Sequence, residues 1–350
     1  MKKKLVSFVG ATLLSAVVLA GCGSQSGSAS EVATQTTSEA ATGAELKTGL
    51  GTSVSIADSK DATAEGDGTA QADATIAAVT VDADGKITQC VIDIAQTKIG
   101  ASADGKITSD LAAEYPSKRE LGDNYGMKKA SAIGKEWYEQ ADAFAAWAVG
   151  KTASDLSGMA ISEGYAGDAD LAASVSIHVT GFQAAVLEAV NNATAMGAHE
   201  GDKLGLGVTT NIEKSVDASA EGDGTAEAYT TISVLTVGND GKITSNIIDA
   251  VQAKITFDAA GVITADKSAE VQSKNELGDA YGMKKASAIG KEWNEQAAAY
   301  AAYTVGKTAD EVAGTAMEEG RAADADLAAS VSVHITDFNA VIAKAVAAAK

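Results

Sequence analysis

Glu120-Leu121-Gly122-Asp123-Asn124-Tyr125-Gly126-Met127-Lys128-Lys129-Ala130-Ser131-Ala132-Ile133-Gly134-Lys135-Glu136-Trp137 decides the fold, because the chain contains it twice. The stretch returns from Glu276 to Trp293 with one change, Asn124 becoming Ala280, and at a constant offset of 156 residues. The same offset relates Glu65–Ala70 to Glu221–Ala226 and Asp168–Ser174 to Asp324–Ser330. Such self-similarity means two copies of one structural unit. Copies of roughly 150 residues are domain-sized and too long for a solenoid repeat. The reading is a tandem duplication, with domains over residues 47–196 and 203–350 and a junction at 197–202.

Within a copy, Thr69 to Asp82 and Lys86 to Ile94 are rich in Thr, Val, Ile and Ala, with Asp82-Ala83-Asp84-Gly85 between them. Asp-Gly between two such runs predicts a hairpin, because the turn needs positive φ. Asp104-Gly105-Lys106-Ile107 suggests a second hairpin. Ala130, Ile133, Trp137, Ala141, Phe144 and Ala148 recur at helical spacing, which predicts one long amphipathic helix with Lys128, Lys135, Glu136, Glu139 and Asp142 facing water. Thr152-Ala153-Ser154-Asp155 and Thr308-Ala309-Asp310-Glu311 read as capping boxes that open a second helix, closed by Gly164 and Gly320. A short apolar strand, Val175 to Val179, then precedes a third helix from Thr180 through Val190. The fold class is α+β: two tandem copies of an antiparallel hairpin sheet packed with a long amphipathic helix and two shorter ones.

The N-terminus carries an address. Lys2, Lys3 and Lys4 precede an apolar run from Leu5 to Ala20, and the order is that of a secretory signal peptide over residues 1–21. Leu19-Ala20-Gly21-Cys22 resembles the lipobox of bacterial lipoproteins. That resemblance implies cleavage before Cys22 and a lipid on its thiol. The mature chain would then sit on the outer face of the membrane, anchored rather than spanning. Residues 22–46 read as the lipidated cysteine and a Ser-, Thr-, Ala- and Gly-rich tether with a reach of roughly 25 Å.

Charge and chemistry exclude several classes. A net charge of -20 argues against nucleic acid, which rewards clustered Lys and Arg. With Cys22 lipidated, only Cys90 remains, so a two-cysteine redox site is excluded; Cys90 reads as a small apolar strand residue. The Asp82–Gly85 turn is not a calcium loop, because Val91 or a neighbour stands where the bidentate Glu would be. Gly150-Lys151-Thr152 resembles the end of a phosphate loop, yet Ala145 stands where its first glycine belongs. His178, His199 and His334 have no His or Cys at metal-ligand spacing, and no metal is expected. Trp137 and Trp293 read as core anchors. No nucleophile and base pair stands out, so a carrier or binder is expected rather than a turnover enzyme.

The hairpin bearing Asp-Gly-Lys-Ile, the amphipathic helix and the Asp-containing segment before an Ala-rich last helix together resemble the FMN-binding domain of bacterial extracytosolic proteins. The membrane-immunogen lipoproteins look like relatives. The family motif is Asp-x-x-Ser-Gly-Ala-Thr, whose last hydroxyl receives FMN from a flavin transferase. The resemblance implies Ser174 and Ser330 as acceptors, with Asp168 and Asp324 positioning the attachment. Leu171 and Leu327 replace the motif's Ser, and Ala172 and Ala328 replace its Gly, which removes easy access to positive φ. The function it implies is an anchored covalent-flavin electron carrier passing electrons between redox partners, the cofactor supplying the chemistry. The alternative is a non-catalytic surface lipoprotein that binds a small molecule or envelope component without flavin.

Overall fold

Gly-x-Gly pairs set the first contact of each copy. In the computed structural model, which describes residues 43–350, strand β1 (Glu45–Ser55) carries Gly49 and Gly51. A Cβ on Gly49 would lie 2.0 Å from the Ala189 carbonyl oxygen, and one on Gly51 would lie 2.1 Å from that of Ala185. Helix α5 (Thr180–Asn191) therefore rests directly on the strand backbone. Gly205 and Gly207 on β7 (Lys203–Asn211) receive helix α10 (Thr336–Ala348) in the same way.

Each copy builds an antiparallel meander. β1, β2 (Gly68–Val81) and β3 (Ile87–Ala101) form the first sheet, and β7, β8 (Gly224–Val237) and β9 (Ile243–Phe257) form the second. The β2–β3 turn is the expected hairpin, with Gly85 at φ 79° and the Asp82 carboxylate accepting from the Asp84 and Lys86 amides. Alternation along the strands makes two buried faces. Ala77, Val79 and Val81 face helices α2 (Trp137–Ala148) and α5, while Ala74, Ile76 and Ala78 face the other sheet. Ile232 and Val234 meet them from β8, and Leu235 and Val237 face α7 (Trp293–Thr304) and α10. The order is helices, sheet, sheet, helices, and residues 43–350 form one compact unit with a shared inter-sheet core. The fold is α+β.

Several local expectations are corrected. The long helix starts at Trp137, so Ala130 and Ile133 lie outside it. Short helix α1 (Lys118–Leu121) and two 3-10 turns fill the preceding stretch, and Gly134 adopts φ 64°, which breaks helical continuity. Glu136 does not face water: it is buried and accepts from the Met127 and Lys128 amides at 2.8 and 3.1 Å. The second helix, α3 (Ala153–Ser157), ends at Gly158, while Gly164 turns a two-residue hairpin, β4 (Ile161–Ser162) and β5 (Tyr165–Ala166). Residues 175–179 form no strand. They are held without a strand ladder, by the Ser176 amide to Gln140 Oε1 at 2.8 Å, the Val175 amide to the Leu171 carbonyl at 2.8 Å and the Val179 amide to the Gly164 carbonyl at 2.7 Å. The second Asp-Gly turn gives only a bridge, Ala101 to Ile107. The expected junction is overlapped by strand β6 (Thr194–His199), which adds to β1.

The signal peptide and Cys22 lie outside the described residues. Among those described, no helix is long and apolar enough to cross a membrane, and no group of three His, Cys, Asp or Glu could hold a metal ion.

Candidate functional site

The second copy holds a cavity of about 850 Å³, within the range that small-molecule sites occupy. Its floor is built from the segment before the repeated stretch. Ser273 caps helix α6 (Lys274–Leu277) in a reciprocal box with Glu276. Buried Asp249 on β9 accepts from the Asn275 amide at 3.0 Å, which seats α6 on the sheet. Burial raises the Asp249 carboxyl to about 6, against the opposing bonds from Ser273 and the Asn275 and Ala250 amides.

So fixed, Lys274 points inward, only 4% exposed. Its Nζ lies 4.4 Å from the Tyr229 ring centroid, 4.5 Å from Tyr281 and 4.8 Å from Trp293, and donates to Tyr229 Oη at 2.8 Å. Desolvation pulls the amine down to about 7, with the positive charge of Lys214 next in importance; Glu227 and Asp249 act the other way. The three ring faces also favour the ammonium.

The walls hang on α7. Glu292, its N-cap, accepts from the Met283 and Lys284 amides. Fully buried Gln296 donates to Ser287 Oγ and the Lys291 carbonyl, and accepts from the Ser332 and Val333 amides. One amide side chain thus ties both walls together. Trp293 is a core anchor, edge-on to Phe338 at 5.7 Å, and also lines the cavity. His334 and Arg321 are exposed at the lining, and Arg321 Nη1 donates to the Ser332 carbonyl.

The first copy keeps Lys118 over Tyr125 and Trp137, at 4.9 and 5.6 Å, but Asp73 stands at the position of Tyr229. Asp58 and Tyr165 likewise stand where the second copy has Lys214 and Arg321. Tyr165 packs edge-on against His178 there, at 4.4 Å. His178 and His334 thus lie on an irregular segment rather than a strand, and His199 lies on β6 with Nδ1 3.0 Å from the Gly197 carbonyl.

The motif residues occupy the ends of one-turn helices. Asp168 caps α4 (Ala169–Ala172) by accepting from the Leu171 amide at 2.8 Å, and Asp324 caps α9 (Ala325–Ala328) by accepting from Leu327 at 2.9 Å. Ala172 and Ala328 are helical, so no glycine is needed there. Ser174 and Ser330 follow, half-buried, and Ser330 Oγ donates to the Leu327 carbonyl at 3.1 Å. Ala328 and Val331, on either side of Ser330 in the chain, line the cavity.

Cys90 is a free, half-buried thiol on β3, pushed up to about 12 by burial. Asn246 replaces it with a buried polar link, accepting from Ser233 and donating to Thr304, each at 2.9 Å. Comparison with family models, curated proteins and solved structures gives no match.

Proposed function

We propose that the chain is a membrane-anchored extracytosolic lipoprotein that binds a small molecule in the cavity of its second copy, as a binder rather than a turnover enzyme. The observation that carries this reading is the cavity itself: about 850 Å³, floored by an aromatic-caged lysine and walled by segments tied to one buried glutamine. Concave sites with apolar walls and a few fixed polar groups are what small-molecule recognition requires. The test is to extract the chain from its own host's membranes, denature it, and identify what is released by mass spectrometry. A compound in about one-to-one ratio with wild type, and lost from Gln296→Leu, is the expected result. No released compound and no ligand-induced shift in melting temperature would overturn it.

A second reading, the covalent-flavin electron carrier, is favoured by one observation: Ser330 is a half-buried residue just after α9, between two cavity-lining residues in the chain. Its cofactor would be FMN, attached at Ser330 and Ser174 by a flavin transferase, with Asp324 and Asp168 holding the acceptor turns. Coexpression with such a transferase decides between the readings. Yellow colour that survives denaturation and vanishes in Ser174→Ala plus Ser330→Ala supports the carrier; colourless protein sinks it.

A further inference from the structure

On the small-molecule reading above, we infer that the second-copy cavity takes an organic anion, an apolar or aromatic body bearing a carboxylate or phosphate, and that Lys274 is its counter-charge. Lys274 has an unmet demand. An ammonium has three donors, and Tyr229 Oη satisfies one. Among the described residues no ion pair includes Lys274, although it is almost wholly removed from water. A buried charge without a partner is costly, and an anion from solution is the partner that relieves it.

The duplication shows what changed around this lysine. Where β8 offers the Tyr229 phenol, the first copy has Asp73 on β2, whose carboxylate accepts from Gln71 and Gln96, and among the described residues no ion pair includes Lys118 either. Two further positions change in the same direction, Asp58 to Lys214 and Tyr165 to Arg321. Glu213 and Asp337 also line the cavity, where the first copy has Ala57 and Gly181, and they are exposed, as Lys214 and Arg321 are. The lining therefore carries both signs, and the buried preference is set at Lys274. From β8 and β9, Glu227 and Asp249 favour its ammonium and Lys254 opposes it, while burial raises the Tyr229 and Tyr281 phenols and keeps them neutral. Half-buried Tyr281 lines the cavity beside Lys274 and offers ring area to an aromatic body.

An anion bound at Lys274 holds its proton, so affinity falls as pH rises through and above 7, where the free amine deprotonates. The test uses the membrane-extracted full chain and a matched pair of probes, 2-naphthoate and 2-naphthamide, by calorimetry at about pH 6.5 and about pH 9. Naphthoate should bind about tenfold tighter or better at the lower pH. That preference should vanish at the higher pH and in Lys274→Met. The pH arm needs no mutation, so a variant that folds poorly leaves the test intact. Equal binding of the two probes, or a preference that survives both arms, overturns the anion assignment and leaves small-molecule binding standing. Binding of neither probe overturns both.

Discussion

Lys274 carries a stability cost whose sign can be worked out. In the unfolded chain its amine titrates near ~10.4; in the fold, desolvation first and Lys214 second draw it down to about 7. Between those values the unfolded state binds more protons than the folded one, so this group makes stability rise with pH across that window. Below about 7 both states are charged and the cost is complete. Lys274→Met should therefore be more stable than wild type at neutral pH by about 1–3 kcal/mol, the ring faces having offset part of the desolvation. The gap should close toward pH ~10. Urea unfolding of both proteins at several pH values checks this, and a gap that stays constant with pH would mean packing, not charge, governs the difference. None of this was legible in one copy of the sequence: Lys274 is simply the second residue of a Ser-Lys-Asn-Glu capping box. The signal lies in comparing copies, at Asp73 against Tyr229 and Asp58 against Lys214.

At the scale of elements, legibility followed how local the determining forces are. The β2–β3 hairpin and helix α5 were readable because an Asp-Gly turn and an apolar stripe act within a few residues. β1 was not, because Thr48-Gly49-Leu50-Gly51-Thr52 has glycines where strand propensity wants branched side chains. Those glycines answer to contacts 140 and 134 residues away, Gly49 with the Ala189 carbonyl and Gly51 with that of Ala185. The apolar stripe predicts too early a start for α2 for a similar reason. The stripe from Ala130 continues in register, but Glu136 and Gln140 bind the 127–135 loop into a compact turn instead. Asp168 and Ser174 were found as a pair by motif; what sequence could not give was the one-turn helix between them. The strand contact leaves Gly51 no room for a side chain. Gly51→Ala puts a Cβ 2.1 Å from a backbone carbonyl, so α5 must lift off β1. The expected loss is about 2–4 kcal/mol by chemical denaturation. Ala substitution at Gly85, with open space around it but φ 79°, should cost only about 1 kcal/mol. Equal losses at the two sites would refute the close-contact account.

In the whole molecule the duplication places one inter-copy contact twice, with opposite charge outcomes. Lys344 on α10 reaches across to Glu120 at 2.5 Å and also donates to the Val208 carbonyl. Its counterpart on α5 is Glu188, and the counterpart of Glu120 is Glu276, so the second occurrence brings two carboxylates together. They line a cleft of about 400 Å³ with Asp249, and Thr52 donates to both, its amide to Glu188 at 2.9 Å and its hydroxyl to Glu276 at 3.3 Å. Desolvation first, then the charges of Glu276 and Asp249, raise the Glu188 carboxyl to about 7, against the opposing bonds from Thr52 and Asn192. Unfolded, the group titrates near ~4.3. Between those values the folded state holds the extra proton, so stability falls as pH rises across the window and the cost is complete above it. Glu188→Lys removes the crowding and recreates the Lys344–Glu120 pair in mirror position. It should raise stability near pH 8 by about 1 kcal/mol, a modest figure because both groups are partly solvated. Near pH 5 the gain should shrink, since wild-type Glu188 is then protonated. Lys344→Glu should do the converse, lowering stability at pH ~8 more than at pH ~5. Buried Asp93 and Asp249 titrate in every variant, so only differences from wild type are read. Thermal unfolding of the three proteins at both pH values is sufficient, and a Glu188→Lys chain that melts below wild type at pH ~8 would show that the carboxylates meet without crowding.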